Sequence, residues 1–507
     1  MTPLEIAEAI NLLENKFRVD KWVIDDLHVW PLVRMSLKYS LFFRHLTPQN
    51  KLGMTARSRL SQIPTVAKRN YQLLYSYLTD YKNNGDDCVP CDAIFLTFTL
   101  DRLCLDGIYY NKYCDPYIDV LHKLNRKTLT LEMGVGGEQY RIPRYKPSVY
   151  IQHIIDFIHL KNIVFPTSTE DRNICLAAYD DFIGFSWDQW DIGVPGYREL
   201  VYKVNCISEM AQYFKKILLN TKPTVVFLSE YYNRVAFAMN VACRELGITT
   251  VDIQHGTAGE YHNSYGRWNR VPLSGYEMLP SIFWCWSDED AKAIYTWSSK
   301  VSTFHKPFVG GDLWLNLWKK GNDDLIRKVE EKLDDIKSNF NKHVLVLYTH
   351  DIFYGIPNWL LDIMKSLPSV YQWLVRLHPT QHTHKESVRR LLLTRGIKEF
   401  EIDRATDLPL PALLRHADIL VTATSTTVIE ANAFGVPSIV THEDAEVYHG
   451  NLIRSGAVVT AYCAKDFRIA LEKQLERRRD SSEGMLGLPT MDNLSVINDF
   501  FAMIKTV

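Results

Sequence analysis

The period of the hydrophobic positions changes near residue 90. Before it, Leu4, Ile6, Ala7, Ile10, Leu12 and Leu13 recur at helical spacing, and residues 30–46 continue in that style. Residues 29–46 come closest to a membrane span, but Arg34, Lys38, Arg44 and His45 interrupt the run, which reads as a mostly buried aromatic helix. After it, short apolar runs alternate with helical ones. Residues 93–98 and 128–132 read as strands, with a polar loop from Asp101-Arg102 to Asp106-Gly107 behind the first. Strand 225–228, a helix over 233–245 closed by Gly247, and strand 249–253 form a βαβ unit, predicted parallel and right-handed. Residues 281–286 and 308–311 complete that sheet. A charged helical segment, 323–341, then leads to strands at 344–348, 373–376, 399–402, 419–422 and 438–440. Two alternating regions of about five strands each predict an α/β protein with two facing doubly wound units. The predicted division is a helical region 1–90, Rossmann-like units 91–315 and 316–485, and a C-terminal helix 486–507.

Bulk properties narrow this reading without changing it. A chain of 507 residues exceeds one ordinary domain, and 46% hydrophobic with 23% charged residues supplies real cores. A net charge of −1 gives no general attraction to nucleic acid, so no nucleic-acid partner is expected. Nine cysteines are scattered; Cys88 and Cys91 form one C-x-x-C without a second pair, which argues against a zinc ribbon. The N-terminus lacks a secretory pattern, and a cytoplasmic location is expected. The basic run Lys51, Arg57, Arg59, Lys68, Arg69 is a solvated face or a contact to an anionic acceptor or membrane surface. No P-loop, nucleophile elbow or kinase set is present, and Gly134-Val135-Gly136-Gly137 has the wrong spacing for a dinucleotide site.

The candidate chemistry sits at strand ends. Ser425-Thr426-Thr427 follows strand 419–422 and opens a helical run ending at Gly435-Val436-Pro437. Hydroxyls and free N–H groups at a helix start suit a phosphate, although one capping residue would satisfy the helix alone. Glu430 then faces a ribose or completes a capping box. Arg376-Leu377-His378-Pro379 ends a neighbouring strand; Pro379 biases His378 to an extended backbone, where it meets the same anion or a loop carbonyl. In the first half Asp252, Gln254, His255 and Gly256 end strand 249–253, with Glu260 and His262 just beyond. Polar groups at that end of a parallel sheet mark a crevice, and Gly256 lets the backbone turn beside a ligand. Glu230 follows strand 225–228 as a general base, a nucleophile, or a helix-start charge; Asp101, Arg102 and Asp106 occupy the equivalent edge after strand 93–98.

These residues together resemble the GT-B glycosyltransferases of bacterial capsule and O-antigen assembly. The Arg376–Pro379 segment, Ser425…Glu430-Ala431…Gly435-Val436-Pro437 and Gln254-His255-Gly256 carry the likeness, over roughly residues 93–460. Within the fold, the His-Pro and Ser/Thr elements resemble users of CMP-activated sugars. The resemblance implies two facing Rossmann-like domains and transfer of a nonulosonic acid such as Kdo or pseudaminic acid to a growing surface glycan or glycolipid. It implies a nucleotide-sugar donor, no metal or other cofactor, and a cytoplasmic enzyme with peripheral association at the inner membrane face. His378 and Ser425–Thr427 match the family's donor-phosphate positions, with Arg376, Pro379 and Glu430 beside them. Glu230, Asp252 and Asp106, with His255, are the candidates for catalysis; Asp101, Arg102, Gln254, Gly256, Glu260 and His262 are those for the acceptor. Asp106-Gly107 repeats only part of the sialyltransferase Asp/Glu-Asp/Glu-Gly motif. Alternatives on the same fold are an NDP-sugar or polyol-phosphate transferase, a UDP-sugar 2-epimerase, or a non-catalytic glycan-assembly scaffold.

Overall fold

The computed structural model describes residues 1–43, 89–134, 142–170, 172–321, 323–340, 344–351, 354–480 and 491–505. Lys51–Arg69, Cys88 and Val135–Gly137 lie outside the described residues.

Two large sheets organise the chain. Their strands are numbered here in chain order. The first holds β1 (Ala93–Phe98), β2 (Thr128–Met133), β3 (Val149–Tyr150), β4 (Val225–Leu228), β5 (Thr249–Ile253), β6 (Ile282–Cys285) and β7 (Lys306–Val309). It runs β7-β6-β5-β4-β1-β2-β3, and every pair is parallel. The second holds β8 (Val344–Thr349), β9 (Tyr371–Arg376), β10 (Phe400–Glu401), β11 (Ile419–Thr422), β12 (Ser438–Val440) and β13 (Val458–Thr460). Its order is β10-β9-β8-β11-β12-β13, again all parallel. β4, β6, β11 and β12 are buried along their whole length. Helices cover both faces of such a sheet, so its strands read as unbroken apolar runs. β3 and β13 were not foreseen; two or three residues are too few to show a period.

The N-terminal helices, α1 (Pro3–Lys16) and α2 (Trp30–Phe43), share a hydrophobic core with the first unit, including Trp22, Trp30, Phe214 and Trp268. A buried ion pair fastens them there. Arg34 pairs with Glu14, and both side chains are fully buried. Glu14 also accepts from Trp30 Nε1 at 2.7 Å and from Asn269 N at 2.7 Å. Arg34 donates to the carbonyls of Asn263 and Gly266, each at 2.9 Å. Every polar end of the pair is therefore occupied, and the loop after β5 is held by helices more than 200 residues away (|i−j| 229 for Arg34–Asn263).

The stretch expected as a polar loop after β1 is an antiparallel hairpin, Arg102–Leu105 with Ile108–Asn111. Asp106 (φ 51°) and Gly107 (φ 81°) form its two-residue turn, where both residues need a left-handed backbone. The tip leaves the first unit. Leu105 and Tyr110 lie in the second unit's core with Trp314, Trp318 and Ile326. The C-terminal helix Asn493–Lys505 makes the opposite crossing, and its Val496, Ile497 and Phe500 pack with Phe95, Phe227 and Trp284 of the first sheet. Among the described residues no helix is long and apolar enough to cross a membrane.

Truncating Glu14 to Ala leaves the Arg34 guanidinium unpaired in the core. The expected loss is about 3–5 kcal/mol, read as a lower urea midpoint. A Glu14→Ala/Arg34→Met double variant should recover part of it, and a midpoint unchanged in Glu14→Ala would refute the fastening role.

Candidate active site between the two sheets

In each sheet the strand order reverses once, between β1 and β4 in the first and between β8 and β11 in the second. Loops leaving neighbouring strands diverge there and open a crevice at the strands' carboxyl ends. The two crevices face each other. A Cβ built on Gly256, after β5, would lie 3.5 Å from Thr426 Cγ2, after β11.

On the first unit, Glu230 and Asp101 leave β4 and β1, the two strands flanking the reversal. Burial raises the Glu230 pKa to about 7, and the nearby Asp101 carboxylate adds to the rise while Lys38 opposes it. Asp101 accepts from Thr97 Oγ1 at 2.9 Å and Phe98 N at 3.2 Å, which fixes its position. Lys38 arrives from α2. Its ammonium lies 3.4 Å from Ser264 Oγ, 3.5 Å from His262 Nε2 and 5.0 Å from the Tyr232 ring centre. Burial lowers its pKa to about 8. His255 Nε2 sits 2.8 Å from Tyr232 Oη, and its carbonyl accepts from Tyr113 Oη at 3.1 Å. Burial pushes the His255 pKa down to about 4 and that of His262 well below its ordinary value, so both rings are neutral.

On the second unit, Thr424 Oγ1 donates to Asp351 at 3.0 Å, and Thr427 Oγ1 lies 3.0 Å from Thr349 Oγ1 across the reversal. Ser425 Oγ accepts from Thr427 N at 3.3 Å. The helix that follows is shorter than expected, only Thr427–Ala433, with i→i+3 bonds at its start. His378 follows β9 and is exposed, and Pro379 begins a 3₁₀ turn, Pro379–His384. Partial desolvation by the loops around it, then Lys112, lowers the His378 pKa. Glu430 is raised to about 7 by burial, with Lys112 and Arg376 opposing.

Lys112, which follows the hairpin, joins the halves. It acts electrostatically on Asp101, His255, Asp312, His378 and Glu430. Burial disfavours its charge, but Tyr113, Glu430 and Asp101 outweigh that, and its pKa is raised.

Several expected site residues have other work. Asp252 is 1% exposed and accepts from Tyr231 N at 2.8 Å and Tyr265 Oη at 2.9 Å, so it braces the core beneath the crevice. Asp106 is a hairpin turn whose carboxylate approaches Lys328 at 4.0 Å. Arg102 is buried against Glu132 at 2.6 Å. Gln254 bridges Gly256 O at 2.8 Å and Trp286 N at 2.7 Å, shaping the loop from inside. Arg376 Nη1 donates to the Ala405 and Leu408 carbonyls at 2.8 and 2.5 Å, which ties the strand end to the next loop. Glu260 pairs with Arg267 at 2.9 Å on the rim. Sequence reasoning missed Lys38 and Lys112 as site residues. Arg34 and Lys38 stand four apart and share one face of an apolar helix, but nothing local says what that face meets, and Lys112 carries no signal at all.

No protein-family model matches the chain, and no curated protein matches it. Solved structures give distant likenesses. The UDP-GlcNAc 2-epimerase of Methanocaldococcus jannaschii is 13% identical, over 82% of this chain and 99% of that one, with a TM-score of 0.48. The UDP-GlcNAc 2-epimerase of Neisseria meningitidis bound to UDP-GlcNAc is 13% identical, over 81% and 100%, at 0.49. The wall teichoic acid polymerase TagF is 9% identical, over 87% and 98%, at 0.43. The two-sheet architecture stands on the strand orders themselves.

The raised Glu230 pKa has a measurable sign. Between its ordinary 4.5 and about 7, the folded chain keeps a proton that the unfolded chain releases, so this group's contribution to stability falls as pH rises through that window. Glu230→Gln should gain on the parent by about 3 kcal/mol between pH 4 and pH 8 in denaturant titrations. A difference constant across that range would show that Glu230 titrates normally.

Proposed function

We propose that the protein is a glycosyltransferase acting on a nucleotide-activated sugar, with CMP-nonulosonate as donor and a surface glycan or glycolipid as acceptor. The observation that carries the reading is that the first unit's Glu230–Asp101 pair and the second unit's Glu430 converge on Lys112, while the Ser425–Thr427 loop comes up against Gly256. The donor phosphate binds the loop hydroxyls and N–H groups. His378 adds a hydrogen bond, and Lys112 supplies positive charge that stabilises the departing nucleotide. A nucleophile must be ionised, whereas a carboxylate raised to about 7 by burial suits proton transfer near neutral pH. Glu230 thus acts as the general base on the acceptor hydroxyl, and a single displacement inverts the anomeric centre. Asp101 and Lys38 set its acidity from opposite sides.

A thermal-shift panel of CMP, CDP, UMP, UDP and GDP tests the donor. CMP alone should raise the melting temperature, and Ser425→Ala and Lys112→Met should each shrink the shift. Selectivity for UDP, with sugar turnover in the absence of any acceptor, would replace transfer by epimerisation. No shift with any nucleotide would sink the enzyme reading. Glu230→Gln should keep the CMP shift while lowering turnover about 10²–10⁴-fold; full turnover in that variant removes Glu230 from the chemistry.

A further inference from the structure

α2 brings two cations to the loop after β5, and their charges are met differently. Arg34 is paired with Glu14 in the core. Lys38, about one turn further along, forms no ion pair with a carboxylate among the described residues. An ammonium has three N–H donors. Here one faces Ser264 Oγ at 3.4 Å and another His262 Nε2 at 3.5 Å. Both partners are neutral, one a hydroxyl and the other a ring whose pKa burial holds well below its ordinary value. The Tyr232 and Tyr39 rings, 5.0 and 5.7 Å away, offer only their faces. The remaining donor has no partner among the described residues.

Glu230 is the complementary case. Its carboxylate makes no hydrogen bond or ion pair among the described residues, and it acts on Lys38 electrostatically without pairing with it. Lys38, Glu230, Tyr232, His255 and His262 are each half-buried, so all of them border solvent. A charge taken partly out of water without a counter-ion is costly, and a ligand that supplies one is favoured. A group that serves both residues accepts from Lys38 and donates to Glu230, as a carboxylate beside a hydroxyl does. The charge count limits it further. One ammonium balances one negative charge, and with Glu230 near it and Asp101 near Glu230 a phosphate dianion is repelled. A single carboxylate is tolerated, because Glu230, raised to about 7, is half-protonated near neutrality.

We infer that Lys38 is a specificity-determining residue, which with Glu230 selects a sugar carrying a carboxylate beside a hydroxyl. On the transferase reading, Glu230 holds the acceptor hydroxyl, and Lys38 holds the carboxylate attached directly to the donor carbon under attack. Neutral sugars carry no such group there. That assignment rests on the transferase reading; the affinity of Lys38 for a sugar acid does not.

Saturation-transfer NMR on the full chain, with free Kdo and its methyl ester as probes, tests it. The two differ in the charge of one group, and the free sugar's anomeric hydroxyl takes the place of the acceptor oxygen. Kdo should bind about fivefold or more tighter than the ester. Lys38→Met should bring Kdo down to the level of the ester, with the CMP shift retained, because Lys38 lies on the first unit and the phosphate loop on the second. Lys38→Gln, polar and of similar length, makes the same comparison where the methionine variant fails to fold. Lys38→Arg keeps the charge and should keep part of the preference. A preference for the acid that depends on Lys38 supports the inference even where no nucleotide shifts the melting temperature, and then only the transferase reading falls. Ester bound as well as acid, neither bound, or a preference that survives loss of the Lys38 charge overturns the inference, whatever CMP does.

Discussion

One ammonium, that of Lys112, makes the crevice electrostatically tolerable. Asp101 and Asp312 approach it from the first unit and the connection, and Glu430 from the second. Burying several carboxylates in one place raises the cost of each, and a shared cation among them lowers it. Burial still dominates, holding Glu430 near 7 and Asp312 near 6. The crevice therefore holds acids ready to exchange protons near neutrality, around a lysine held firmly charged.

That convergence depends on topology. Parallel strands connected by right-handed crossovers put every strand's carboxyl end on the same edge. Reversal of the strand order then separates two successive loops and leaves a gap. The gap occurs twice, and the approach of Thr426 to Gly256, near enough that a Cβ on Gly256 would touch it, sets one against the other. α2 adds Lys38 to the first gap because the Glu14–Arg34 pair docks it onto the loop after β5. The helical N-terminal residues are thus part of the site's wall as well as of the first unit's core.

Much of this was legible in the sequence. The long buried strands announced themselves as continuous apolar runs, and the Ser/Thr loop and Glu230 stood at their ends. The choice among carboxylates was not legible. Asp252 and Glu230 both look like strand-end acids, but Asp252 is still paired in the ladder, opposite Leu228, while Glu230 lies beyond its strand's last residue. A side chain within the ladder projects onto a face of the sheet and is buried under a helix. Only residues past the last pair face the crevice. The Asp106-Gly107 turn shows a different failure: the dipeptide is a strong hairpin signal, but its flanking strands are only four residues each and the tip packs in another unit. Lys38 depends on contacts across 226 positions in the chain, as with Ser264, and no local pattern encodes that.

The hairpin is a lever. Its tip is anchored in the second unit through Leu105 and Tyr110, while its two roots belong to the first. Asp101 immediately precedes one root and Lys112 immediately follows the other. Both charged residues are thus held where the hairpin leaves and re-enters the first unit. Asp101 helps set the acidity of Glu230 and Lys112 that of Glu430, so the groups that tune the crevice's proton affinity hang from the roots of one hairpin.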